Sequence, residues 1–267
     1  MILADCHTHT AFSSDSDTPV EAQIDAAVAA GLDTICITDH TDPGFPDPTR
    51  FCVDPAPYLK TLSRMQDLYR GRIRSLAGME VGLYLPAEKE VRDFLGNRDS
   101  FDFFIGSTHL VDGMDPWEAA FWQIHEGTSG YQLYFETQYE NVCHFDGFDV
   151  CGHLDYISRY GRRENRPYDA RAYRDLIDAT LKVLIEKGLG LECNAAGMTG
   201  APGNPNPEAD ILRRYRELGG EILTIGSDGH TTDRIAYRFH ELTDYLTACG
   251  FRYYTVFEQH RPVFLPL

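Results

Sequence analysis

Seven short β-type runs alternate with helical stretches along this 267-residue chain, and that alternation limits the fold more than any other feature. The runs lie at 2–4, 34–38, 73–81, 101–106, 148–152, 189–194 and 221–226. Helical spacing fills 19–31, 57–70, 88–95, 130–144, 169–187, 207–218 and 233–249, with Pro19 suited to a first turn and Gly31 to a helix end. Strands separated by helices need crossover connections, which build a parallel sheet. No step in composition, repeat or low-complexity segment divides the chain. A single α/β domain over 1–267, closed as a TIM-like barrel, is the expectation. A further β-type run at 253–257 ends the pattern. Residues 111–130, rich in Trp, Gly and acids, read as a long loop or insertion of the kind that is often functional. Its Met114, Trp117, Phe121 and Trp122 would cap a pocket and set the leaving group, or pack on a neighbouring subunit.

Metal-ligand side chains recur at the ends of these runs. His7 and His9 follow the first, His40 the second, His109 the fourth and His153 the fifth. Glu80 ends the third, and Asp228 and His230 follow the last. In a parallel barrel those ends open on one face, where such folds carry their active sites. In extended chain, residues two apart point the same way, so His7-Thr8-His9 and Asp228-Gly229-His230 would each aim two ligands at one cavity. Singly, each residue has an ordinary structural role open to it. His-x-His pairs are common on surfaces, and a strand-end Asp is often a helix cap. Six of the ten histidines at matching strand ends, beside Glu80 and Asp228, point instead to a shared metal site. With Asp15 the candidates number nine, more than one tetrahedral ion can use. Imidazole with carboxylate suits zinc, iron or manganese, and two or three divalent ions are expected. His125, His144, His240 and His260 fall outside the pattern.

The balance of 41 acidic against 24 basic residues, −17 in all, repels a nucleic-acid backbone. It leaves room for a small anionic substrate, because bound cations can make a pocket locally positive. No apolar run approaches the ~20 residues that span a bilayer, and no secretory leader pattern is visible. The seven cysteines show no metal or disulfide spacing. Cys6, Cys36, Cys151 and Cys193 sit in apolar runs as reduced core residues would, so a cytoplasmic protein is expected.

The order and context of these motifs, from His7-Thr8-His9-Thr10 to Gly226-Ser227-Asp228-Gly229-His230, resemble the polymerase and histidinol phosphatase (PHP) superfamily over nearly the whole chain. Within it, 5–13, 152–160 and 217–228 are most similar to the stand-alone histidinol-phosphate phosphatases. The resemblance implies a distorted (β/α)7 barrel with a trinuclear centre. His7, His9, Glu80 and Asp228 would hold one ion. Glu80 would bridge to a second, held by His109 and His153. Asp15, which by itself reads as part of a solvated loop, would hold a third with His40 and His230. The implied reaction is hydrolysis of a phosphate monoester, histidinol phosphate above all, by a metal-bridged hydroxide. Glu80, Asp228 and His230 are the catalytic candidates.

Arg159 is the candidate phosphate ligand, with Arg162 and Arg163 in reserve and Asn194 as a substrate hydrogen-bonding group. A surface salt bridge is the alternative role for Arg159. Asp39 or Asp155 would orient a liganding histidine. The basic residue that the resemblance places soon after Asn194-Ala195-Ala196-Gly197 is missing, since Met198-Thr199-Gly200-Ala201 follows. Action on a phosphodiester or nucleotide, and a metal-binding module without turnover, are the competing readings.

Overall fold

The computed structural model describes residues 1–126, 128–163, 167–199 and 203–267, with only the backbone at 162 and 163. Its strands are β1 (Ala4–Asp5), β2 (Thr34–Ile37), β3 (His40–Thr41), β4 (Arg74–Gly82), β5 (Phe103–Ser107), β6 (Val150–Cys151), β7 (Gly190–Asn194) and β8 (Leu223–Gly226). All pair in parallel, in the order β1-β2-β4-β5-β6-β7-β8, with β3 also on β4. Cys6 N donates to Ile225 O at 2.9 Å, Asp228 N donates to His7 O at 2.8 Å, and Thr8 bridges Gly229 in parallel. These bonds join the last strand to the first and nearly close the barrel. The expected fold is the observed one.

The helices form because apolar stripes on them need covering and the chain supplies their stops. They are α1 (Val20–Ala29), α2 (Pro55–Leu68), α3 (Glu88–Leu95), α4 (Ala119–Ile124), α5 (Ser129–His144), α6 (Ile157–Arg163), α7 (Arg174–Glu186), α8 (Ala209–Glu217) and α9 (Phe239–Ala248). Asp54 caps α2 through Ala56 N, with Pro55 in the first turn. Tyr58 of α2 is fully buried and its one hydroxyl proton is shared between the carbonyls of Ile37 and Gly78, 2.9 Å from each, tying helix to strands. A buried hydrogen bond of this kind adds about 1 kcal/mol.

Four parts differ from the sequence expectation. The 111–130 segment is not all loop: α4 lies inside it, with Phe121 and Trp122 packed in the core. Helix α6 occupies a stretch read without structure. The last helix starts at Phe239, after a 3-10 turn over Thr232–Arg234. The 253–257 run is half of an antiparallel hairpin, β9 (Tyr253–Glu258) with β10 (Arg261–Pro266), outside the barrel sheet. The hairpin packs at the N-terminal ends of the strands, where Phe257 stacks on Phe103 and Thr255 Oγ1 accepts from Leu223 N. His260 N donates to Asp102 O in the same region. The opposite end, with the C-terminal ends of the strands, is left for the site. Among the described residues no helix is long and apolar enough to cross a membrane.

Candidate metal centre

The structure brings the nine candidate ligands together in one cleft at the C-terminal ends of the strands. Glu80, on β4, is its centre and is fully buried. Its Oε2 lies 3.0 Å from His7 Nε2, 3.5 Å from His9 Nε2 and 3.2 Å from His40 Nδ1. Its Oε1 lies 3.1 Å from His109 Nε2 and 2.9 Å from His153 Nε2. One carboxylate thus faces two histidine sets with two different oxygens. Ser107 Oγ donates to Oε1 at 2.6 Å and fixes the rotamer. Asp228 Oδ1 is 3.2 Å from His9 Nε2 and 3.7 Å from His230 Nδ1. Asp15 Oδ2 is 3.0 Å from His230 Nε2 and 3.7 Å from His40 Nε2.

The backbone delivers these side chains in two ways. His7-Thr8-His9 runs extended beside Gly229, and its two rings sit 4.9 Å apart. Asp228 does not follow the expected extended alternation. Its φ is +55°, in the left-handed region that Asp tolerates better than most residues. Strain of this kind clusters at functional sites. Here it turns the Asp228 carbonyl to within 3.0 Å of His230 Nδ1, whose N–H can donate to it, while the carboxylate faces His9.

Two carboxylates not singled out in the sequence orient the rings from behind. Glu192 Oε1 lies 2.6 Å from His7 Nδ1, and Glu192 Oε2 accepts from His153 N at 2.8 Å. Asp42 Oδ1 lies 3.0 Å from His109 Nδ1. A carboxylate on the far nitrogen fixes the ring and raises its basicity toward a metal. The two residues expected in that role act differently. Asp39 accepts from Thr10 and Ser13, and reaches His9 only through Ser13 Oγ, 3.4 Å from His9 Nδ1. Asp155 accepts from Asn206 Nδ2 and Glu208 N.

The electrostatics favour added cations. Glu80, Asp228, Asp15, Glu192 and Asp42 converge here, and Arg159 is the guanidinium set among them, 3.0 Å from Asp228 Oδ2. Burial that holds His40 down to about 4, and lowers His9 and His153, keeps those imidazoles neutral, the state that binds metal. Burial opposes charge on His7 as well, but Glu192, Glu80 and Asp228 overcome it and raise its pKa. So much buried negative charge needs compensation. Nε2 of His9 and Nδ1 of His40 are buried without a hydrogen-bond partner. Ligand atoms of His7, His9 and Glu80, of Glu80, His109 and His153, and of His9, His40 and His230 each fall within 4.8 Å of one another. The donor set fits the two or three divalent ions expected, with Glu80 shared between two groups.

Arg159, from α6, is not a surface residue. Its side chain is 16% exposed, and it donates to Asn194 Oδ1 at 2.8 Å and to Asn206 Oδ1 at 2.7 Å besides Asp228. Asn194 also donates through Nδ2 to Asp228 Oδ2 at 3.3 Å, so both substrate candidates touch the ligand shell. The side chains of Arg162 and Arg163 lie outside the described residues. His125, His144, His240 and His260 are not among the groups that could hold an ion. The cleft is lined further by Asp115, Trp117 and Glu118 of the 111–130 segment and by Tyr156 and Tyr160.

The PHP domain family matches residues 5–196. A probable histidinol-phosphatase of Clostridium acetobutylicum is 32% identical over 252 residues, covering 94% of this chain and 95% of that protein. The histidinol-phosphatase of Lactococcus lactis is 28% identical over 256 residues, covering 92% and 91%. The crystal structure of the Lactococcus lactis histidinol phosphate phosphatase complexed with zinc, L-histidinol and phosphate superposes with a TM-score of 0.88 at 26% identity, covering 97% of this chain and 98% of that one. Fold, site geometry and sequence agree on one conclusion: the chain belongs to the PHP domain family.

Proposed function

We propose that this protein is a metal-dependent phosphatase that hydrolyses L-histidinol phosphate to L-histidinol and phosphate. The observation that carries the phosphatase reading is Glu80, one buried carboxylate offering separate oxygens to two histidine sets. His7, His9, Glu80 and Asp228 would hold one ion, Glu80, His109 and His153 a second, and Asp15, His40 and His230 a third. Divalent cations bound there supply Lewis acidity toward the phosphoryl oxygens and lower the pKa of water. The chain's own groups do the positioning. Glu192 and Asp42 hold the His7 and His109 rings, and Ser107 holds Glu80. The Arg159 fork, braced by Asn194 and Asn206, presents N–H donors that match a phosphoryl group.

Two features support histidinol phosphate as the monoester. The relatives matched along nearly their full length are histidinol-phosphatases. Asp115, Trp117, Glu118 and Tyr156 give the cleft two carboxylates and aromatic faces, which complement an amine and an imidazole ring. In this reading the 111–130 segment covers the leaving group. The seven unpaired cysteines suit a reducing compartment, and we place the enzyme in the cytoplasm.

The test is phosphate release by the protein loaded with manganese, zinc or iron. Histidinol phosphate should exceed glycerol phosphate by at least about 10²-fold in kcat/KM, the order expected from two charge-assisted contacts to the leaving group. Equal rates on both would remove the substrate assignment. Cleavage of dinucleotides instead would favour a phosphodiesterase, and no release from any ester a binding module.

A further inference from the structure

The cleft contains a second arginine that the metal centre does not use. Of the described residues lining it, Arg50 and Arg159 are the strong bases, against Asp15, Asp42, Glu80, Asp115, Glu118 and Asp228. Arg159 gives three of its five N–H groups to Asp228, Asn194 and Asn206. Arg50 is exposed, and among the described residues no carboxylate lies within ion-pair distance of it. Asp47 feels its charge but is engaged by the backbone and hydroxyl of Thr49.

The loop carrying Arg50 is held in place. Thr41 and Cys52 form an antiparallel bridge at its base, and Asp42 N donates to Phe51 O at 2.8 Å. Phe51 has φ +48°, a conformation that a bulky residue adopts only when its surroundings impose it. That turn sets the Phe51 ring 5.0 Å from the His40 ring and 4.7 Å from Phe45. The Arg50 guanidinium carbon lies 4.7 Å from the Phe51 ring centre and 5.5 Å from that of Phe45. Stacking uses the flat faces of a guanidinium and leaves the N–H edges free to donate. The result is a preset cation on the ring that packs against His40, in a cleft whose carboxylates outnumber its arginines.

We propose that Arg50 is a substrate-binding residue that captures the phosphate dianion, resting on the phosphatase reading above. It donates to the phosphoryl oxygens as the ester enters and holds them beside Arg159. Its contribution is made equally to the bound ester and to its transition state, so it falls on KM rather than kcat.

The experiment compares Arg50→Met, which keeps a long apolar chain, with Arg50→Lys and wild type, all metal-loaded. KM for histidinol phosphate and the inhibition constant of inorganic phosphate should each rise about tenfold in Arg50→Met, the order of one charge-assisted hydrogen bond. Their rise between low and high salt should flatten, because a screened charge has been removed. The kcat value should stay within about twofold of wild type, as uniform binding requires. Arg50→Lys should recover part of the loss. Wild-type KM, inhibition constant and salt response in Arg50→Met would overturn the assignment, as would a loss confined to kcat. No turnover by wild type on any monoester would instead sink the phosphatase reading and this inference with it.

Discussion

Glu80→Gln is expected to lower kcat/KM by at least about 10³-fold, the several kcal/mol that metal-assisted charge stabilisation supplies. The amide keeps the size of the carboxylate and can still accept from Ser107, so far-UV circular dichroism should not change. Two losses follow from its chemistry. The charge shared by the two histidine sets disappears, and one of the two terminal atoms becomes an NH2 donor with no lone pair for a cation. Bound metal should therefore fall along with rate. A variant with full metal content and undiminished kcat/KM would show that the bridging role is wrong.

Gly226→Ala should also be damaging, by roughly 10²-fold in kcat/KM, although it replaces no side chain of the site. A Cβ at Gly226 would lie 2.3 Å from His7 Cβ and 2.6 Å from Glu192 Oε1. Neither neighbour can withdraw. His7 is fixed by the bond from Asp228 N to its carbonyl, and Glu192 by the bond it accepts from His153 N. The added methyl must prise His7 from Glu192 or push β8 from β1. Overpacking of this kind costs about 1–3 kcal/mol. A displacement of about 1 Å in a positioned group can cost roughly 10² in rate. Thermal unfolding and steady-state kinetics on the same preparation should both move. An unchanged Tm with unchanged kcat/KM would mean that the close approach of His7 to Gly226 is not needed.

The fold was legible because every barrel strand but the polar pair β3 lies in a short apolar run closed by helix signals, and parallel pairing follows from the crossovers. What escaped has physical reasons. Pro262 and Pro266 mask β10, since proline is a poor strand residue away from an edge. Helix α6 has seven residues, too few for apolar periodicity to show. The ligand set stood out because chance rarely puts imidazoles at the same end of strand after strand, whereas a shared metal site requires it. Glu192 left a fainter signal, a single acid inside the apolar run 189–194 that must be buried and therefore partnered. Asp42 had none, because it opens a polar, Pro-rich loop and looks solvated there. Its place behind His109 depends on Gly82, where a Cβ would fall 2.0 Å from Asp42 Oδ1. Asp228 shows the limit of counting residues, since its left-handed φ replaces the alternation expected between it and His230.

Elemental analysis of the active protein, before and after chelation, tests the central claim most directly. The convergence of imidazoles and carboxylates on Glu80 predicts about two to three divalent ions per chain, the number such a donor set accommodates. Their removal should abolish phosphate release, and re-addition should restore it. Active protein with no bound ions, turning over at the same rate in chelator, would contradict the account.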